Sequence, residues 1–169
     1  MMPLGSLAAR DMQRLKYVAS VHIAVPAARV WALVGHFGDL SWDRAVAKVV
    51  AKGGDSNAAT RTVVFKSGVV LPDEELVRYE PARFTYATFL PHVNGVAFPV
   101  THYVSMLVVL PQPDGGAVVE WRTAFCAKAP GGAPGQAAAA SAAIRAVATL
   151  TQPALDGLKA RLEAAIPTN

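Results

Sequence analysis

Residues 136–166, QAAAASAAIRAVATLTQPALDGLKARLEAAI, decide the fold. Ile144, Val147, Thr151, Leu155, Leu158, Leu162 and Ile166 recur at steps of three and four, the spacing of one face of an α-helix. At 1.5 Å rise per residue this helix is roughly 45 Å long, enough to cross a sheet of about seven strands spaced ~4.8 Å apart. Pro153 lies inside it. Its ring lacks an amide hydrogen and crowds the carbonyl of Thr149, so a kink is expected. The apolar positions keep their phase beyond it, so an ending is not.

Working outward from the helix, the preceding residues change period from 3.6 to 2. Residues 17–24 alternate as a first strand and stop before Pro26, which suits the first turn of a short helix over 27–34, with Val30, Trp31 and Val34 on one face. Gly35-His36-Phe37-Gly38-Asp39 breaks that helix, and Leu40-Ser41-Trp42 follows as a second, very short one. Four extended runs, 45–51, 60–66, 69–79 and 84–90, are separated by Gly53-Gly54-Asp55, Ser67-Gly68 and Glu80-Pro81-Ala82, all turn chemistry. Pro72 marks the third of these as bulged or at an edge. Runs 101–110 and 117–128 then make a long hairpin around Pro111-Gln112-Pro113-Asp114-Gly115-Gly116. The expected architecture is α+β: a seven-stranded curved antiparallel sheet around a long C-terminal helix, with two short helices after the first strand. Residues 17–166 form one domain in this reading, and residues 1–16 a loosely attached arm, partly disordered or helical.

A helix is a cylinder, and a curved sheet bends away from it. The pattern therefore predicts space left between the two, and a space walled by apolar side chains suits a small-molecule ligand.

Composition narrows the alternatives. The chain has 169 residues, 53% hydrophobic and 17% charged, which excludes global disorder and suffices for a core. The net charge is +4, and Arg10, Arg14 and Lys16 against Asp11 place half of that excess in the first sixteen residues. No later Lys/Arg stripe is interleaved with aromatics, so no nucleic-acid partner is expected. No window reaches about 18 apolar residues and no basic-then-apolar leader opens the chain, so neither membrane insertion nor export is expected, and the default is cytoplasmic. Cys126 stands alone, which leaves no internal disulfide and no cysteine metal cage. His36, Asp39 and Asp43 span a glycine break and lack a third imidazole, so no metal is expected. No P-loop, dinucleotide fingerprint or nucleophile elbow is present, so no nucleotide cofactor is expected either.

Val25-Pro26-Ala27-Ala28-Arg29-Val30-Trp31 and Phe37-Gly38-Asp39-Leu40-Ser41-Trp42 resemble the "P-x-x-x-V-W" and "F-x-x-x-x-W" segments of the START-like superfamily, also called SRPBCC. Thr60-Arg61-Thr62, Glu74-Glu75-Leu76, Tyr86, Tyr103 and Val119-Glu120-Trp121 resemble its polyketide cyclase/dehydrase branch, and the likeness spans residues 17–166. The resemblance implies a helix-grip fold holding apolar ligands between sheet and helix, in a superfamily of carriers, receptors and enzymes. Asp43-Arg44 stands where the branch often has His-Pro, and Ala59 and Thr60 lack its usual glycine, which detaches the fold from any one reaction.

Strand parity sorts side chains by face. If Trp121 points inward, so do Val119, Thr123 and Phe125; the matching rows are Tyr103, Ser105, Leu107 and Val109, and Phe84, Tyr86, Thr88 and Leu90. These rows either wall a ligand site or are ordinary core. The resemblance places Arg61 and Glu74 on the concave side, where they either orient a polar ligand group or form a structural ion pair. The candidate ligand-binding set is thus Trp42, Arg61, Phe65, Glu74, Tyr86, Thr88, Tyr103, Ser105, Leu107, Trp121 and Thr123, with Val147, Thr151 and Leu155 from the helix. Candidates for moving a proton are Glu74, Tyr86 and Tyr103, with His36 and His102 behind them. The Gly131–Gly135 run and residues 93–99 are candidate gates, with Trp42 as part of a lid.

Three functions remain open. One is a protein that binds a hydrophobic or aromatic, polyketide- or lipid-like molecule. Another is a cyclase/dehydratase-type enzyme acting on such a molecule, and the third is an interaction module with a collapsed cavity. A monomer or homodimer is expected in each case.

Overall fold

Strand alternation begins earlier than residue 17. In the computed structural model, which describes residues 13–128 and 135–167, β1 spans Arg14–Ile23. Leu15 opposes Phe125 and continues the inward series Ala19 and Ile23. Arg14 and Lys16 are the exposed alternates of the same strand, so these three residues belong to β1 and not to an arm. Residues 1–12 lie outside the described residues.

After β1 comes α1 (Ala27–Val34), which buries Ala27, Val30 and Val34. Trp31 packs tilted at 6.0–6.2 Å against Tyr79, Phe84 and Tyr86. A Cβ on Gly35 would meet the Trp31 ring at 2.5 Å, so glycine is required where α1 stops. The second short helix expected at Leu40-Ser41-Trp42 does not form; residues 37–45 make successive turns. Two aspartates explain the difference, because Asp39 accepts from the Ser41 amide at 2.8 Å and Asp43 from the Ala45 amide at 2.9 Å. Such side-chain bonds compete with helical ones.

The strands that follow are β2 (Val46–Lys52), β3 (Thr60–Phe65) and β4 (Val70–Glu80). A 3-10 turn over Pro81–Arg83 then leads to β5 (Thr85–Leu90), β6 (Val100–Pro111) and β7 (Ala117–Ala127). They form one antiparallel sheet in the order β1-β7-β6-β5-β4-β3-β2. With α2 (Gln136–Ala164) against it, this is the helix-grip fold.

Pro72 explains a detail that places the site. Arg61 opposes Glu74 while Val63 opposes Leu71, so β4 carries one more residue than β3 over that interval. The bulge uses Pro72, which has no amide to offer a ladder, and Asp73, whose φ is 51° and whose amide donates to Thr62 Oγ1. Leu71 and Glu74, three apart in sequence, are therefore both buried. A regular strand would turn one of them outward.

Helix α2 does not cross the whole sheet as its length allowed; it packs chiefly against β1 and β7. Its side chains also cover the free edge of β1. Gln152 bonds the Ser20 amide and carbonyl, Lys159 donates to the His22 carbonyl at 2.7 Å, and Glu163 accepts from the Ala24 amide at 3.0 Å. Leu155 and Leu158 are fully buried, each contributing roughly 1.5–3 kcal/mol by burial. Pro153 and Thr149 both lie on the exposed face, so the helix continues through the proline. The N-terminal half of α2 presents Ala139, Ala142, Ala143 and Ala146 where the C-terminal half presents leucines. The helix thus fills the sheet at one end and leaves room at the other.

Candidate functional site

That room is a cavity of about 510 Å³ open to solvent. Ala45, Phe65, Ser67 and Val69 form one wall, from the start of β2 and the β3–β4 turn. Ala142, Arg145, Ala146, Thr149 and Leu150 of α2 form the other, and Ala97 and Phe98 of the β5–β6 loop close one side. Among the residues expected to bind a ligand, Phe65 lies on this wall. Phe98 is the link inward: it lines the cavity and packs edge-on against Tyr103 at 5.5 Å.

Behind it the sheet carries a buried polar chain. Arg61 Nε donates to Glu74 Oε2 at 2.6 Å, and Arg61 Nη1 donates to the Phe37 carbonyl at 2.6 Å. Thr88 donates to Glu74 Oε1 at 2.7 Å. Because Thr88 has one proton and spends it there, Ser105 must be the donor in the 2.8 Å contact between the two hydroxyls. The register produces this order directly, with Arg61 opposite Glu74 and Thr88 opposite Ser105. The guanidinium also lies 4.4 Å from the centre of the Phe37 ring.

The electrostatics follow from burial. Desolvation alone would lower Arg61, but the Glu74 carboxylate and Tyr86 reverse it and hold the guanidinium above its ordinary value. Burial pushes the Tyr86 phenol up, partly offset by Arg61. Burial and then the charge of Glu74 push Tyr103 far up, so Tyr103 is a neutral donor and not a base. Its hydroxyl and Trp42 Nε1 are buried with no hydrogen-bond partner among the described residues. Such groups cost free energy unless something accepts from them.

The other candidates are placed as follows. Leu107, Trp121 and Thr123 are buried on the inner face of β6 and β7; Trp121 packs 6.2 Å from Trp42, and Thr123 donates to the Tyr17 carbonyl at 2.8 Å. Val147, Thr151 and Leu155 are buried along α2, where Thr151 bonds back to the Val147 carbonyl. Trp42, at 1% exposure, packs in the core. The side chains of His36 and His102 are exposed; His36 pairs with Asp55 at 3.1 Å and His102 contacts Thr101 at 3.2 Å. Of the Gly131–Gly135 gate, residues 131–134 lie outside the described residues. No group of three metal-ligating side chains occurs among the described residues.

Sequence reasoning missed Phe98, Arg145 and the alanines of α2 as wall residues. The alanines carried a signal. A helix whose large apolar residues crowd into one half must leave space beside the other half, and that contrast is readable between residues 137–146 and 154–162.

A seven-stranded antiparallel sheet gripping a C-terminal helix beside an apolar cavity defines a START-like protein. The chain belongs to the family described as polyketide cyclase / dehydrase and lipid transport, whose model matches residues 14–163. No curated protein matches the chain. Among solved structures it is similar to the protein XoxI from Bacillus cereus (20% identity, TM-score 0.74, covering 90% of this chain and 99% of that one). An uncharacterised protein from Bacillus thuringiensis has 22% identity and a TM-score of 0.72, over 88% of this chain and 99% of that one. Ara h 8.0201 is similar at 13% identity and a TM-score of 0.65, over 90% of this chain and 99% of that one. At such identities the likeness is one of fold. No helix among the described residues is long and apolar enough to cross a membrane.

Proposed function

We propose that the protein binds a small hydrophobic or aromatic molecule, polyketide- or lipid-like, in the cavity between α2 and the β2–β4 end of the sheet. The observation that carries this reading is the taper of α2, whose alanines leave about 510 Å³ walled mostly by apolar side chains. The family's description, which joins cyclase/dehydrase activity to lipid transport, agrees with it. In this reading Phe98 swings aside when a ligand enters. The ligand then passes from Phe65 at the wall to Tyr103, with Trp42, Trp121, Tyr86 and Leu107 around it and Arg61, Glu74, Thr88, Ser105 and Thr123 beyond. Val147, Thr151 and Leu155 support the site from α2.

The cyclase/dehydratase alternative has less support. A general base needs a free lone pair near the substrate. Glu74 is buried and does not line the cavity, each of its oxygens already accepts a hydrogen bond, from Arg61 or from Thr88, and Tyr103 is held protonated. The interior is thus better provided to hold a molecule than to move its protons.

Native mass spectrometry of protein purified from its own host tests this, with a bound apolar compound expected. Titration with the neutral dye Nile red is the direct check: saturable one-to-one binding supports the reading, and its absence at micromolar protein overturns it.

A further inference from the structure

We infer that the ligand is an anionic amphiphile bound with its charge at the mouth, against Arg145, and its apolar part directed inward. This rests on the ligand-binding reading above. Among the described residues Arg145 is the one charged side chain on the cavity wall, and it makes no ion pair there. Two further cations belong to segments that contribute wall residues, although neither lines the cavity itself. Lys66 lies between the wall residues Phe65 and Ser67, and Lys128 reaches alongside Gly95 in the loop that carries Ala97 and Phe98. Lys66 is in part answered by Asp43, so Arg145 is the principal cation there.

The interior excludes the opposite orientation. The one buried cation among the described residues, Arg61, is already neutralised by Glu74 at 2.6 Å and has given a second donor to the Phe37 carbonyl. A carboxylate or phosphate taken to that depth would lose its hydration and meet the Glu74 charge with no free cation to offset it. The donors left unpaired inside, Tyr103 Oη and Trp42 Nε1, are neutral. An anion is therefore favoured at the rim, where water and Arg145 both reach it, and disfavoured in the core.

Displacement of Nile red by three twelve-carbon amphiphiles tests the inference. Dodecanoate is expected to bind about fivefold more tightly than dodecan-1-ol, and dodecyltrimethylammonium more weakly than either, as for one solvent-exposed ion pair. The gap between acid and alcohol is expected to shrink at 0.5 M salt, to vanish in Arg145→Gln and to survive in Arg145→Lys. The carboxyl carbon of 13C-labelled bound dodecanoate is expected to titrate at or below the ordinary carboxylic range. Equal binding of acid and alcohol, a gap that persists in Arg145→Gln, or an upward-shifted titration overturns this inference while leaving ligand binding intact. Failure of Nile red and dodecan-1-ol alike to bind overturns the ligand-binding reading itself. Transfer of labelled phosphatidylglycerol, but not phosphatidylcholine, out of vesicles supports the inference with a lipid headgroup as the anion; displacement by dodecanoate without such transfer supports it with a free acid.

Discussion

Arg61 and Glu74 face each other across β3 and β4 at 2.6 Å, both about 2% exposed; Arg61 shares a face with Val63 by strand parity, and the bulge at Pro72-Asp73 turns Glu74 to that same side with Leu71. Two charges out of water persist because each has a second partner, Phe37 for the guanidinium and Thr88 for the carboxylate.

Removing one partner strands the other. Arg61→Ala is expected to destabilise the protein by about 3–5 kcal/mol, since Glu74 loses its counter-charge in the interior. Arg61→Met combined with Glu74→Leu is expected to recover most of that loss. Urea denaturation of the two single variants and the double one measures this, and a double variant no better than Arg61→Ala contradicts the explanation.

Tyr103 carries a buried hydroxyl from which nothing accepts among the described residues. Tyr103→Phe is expected to leave stability unchanged or raise it by up to about 1 kcal/mol, because the cost of an unpaired donor disappears with the donor. If a ligand oxygen accepts from that hydroxyl, affinity for the ligand falls in the same variant. Thermal denaturation read beside ligand titration separates the two effects.

The cavity depends on small side chains in α2. Ala146→Leu is expected to lower Nile red affinity by about tenfold or more while changing Tm by only a few degrees, because the new side chain enters open space. Binding that is undiminished places the dye elsewhere.

Asp43 is held above the ordinary aspartate value of 3.8, mainly by burial, with the Ala45 amide and Lys66 opposing. The folded protein thus binds this proton more tightly than the unfolded chain, and the stability it contributes is present below pH 3.8 and lost as pH rises through the folded value. Asp43→Asn is expected to be more stable than the parent at pH 7, with the advantage shrinking as pH falls toward 3.8. Denaturation curves from pH 3.5 to 7.5 check the sign; a difference that grows on acidification contradicts it.

The segments most legible in the sequence were those with long, uninterrupted periodicity. The hairpin of β6 and β7 and the buried positions Val147, Leu155, Leu158 and Leu162 of α2 follow from it, and so does the inward row Val119, Trp121, Thr123 and Phe125. Pro72 announced a bulge or an edge, and the bulge is what forms, in a strand with neighbours on both sides. The turn at residues 40–42 was misread as a helix because short apolar spacing looks the same in both, and the aspartates that close the turns act through side-chain bonds that periodicity does not record.

Local chemistry along the chain determined the strands and the long helix with its alanine-rich end, because these depend on periods and side-chain sizes within one element. Only the tertiary structure decided where that end lies. Parity cannot say that α2 leans on β1 and β7, or that Phe98 both lines the cavity and packs on Tyr103, or that Arg145 shares a cavity with Phe65 and Val69. Most of those relations join residues far apart in the chain, and they are set by how the helix and the loops dock against a curved sheet.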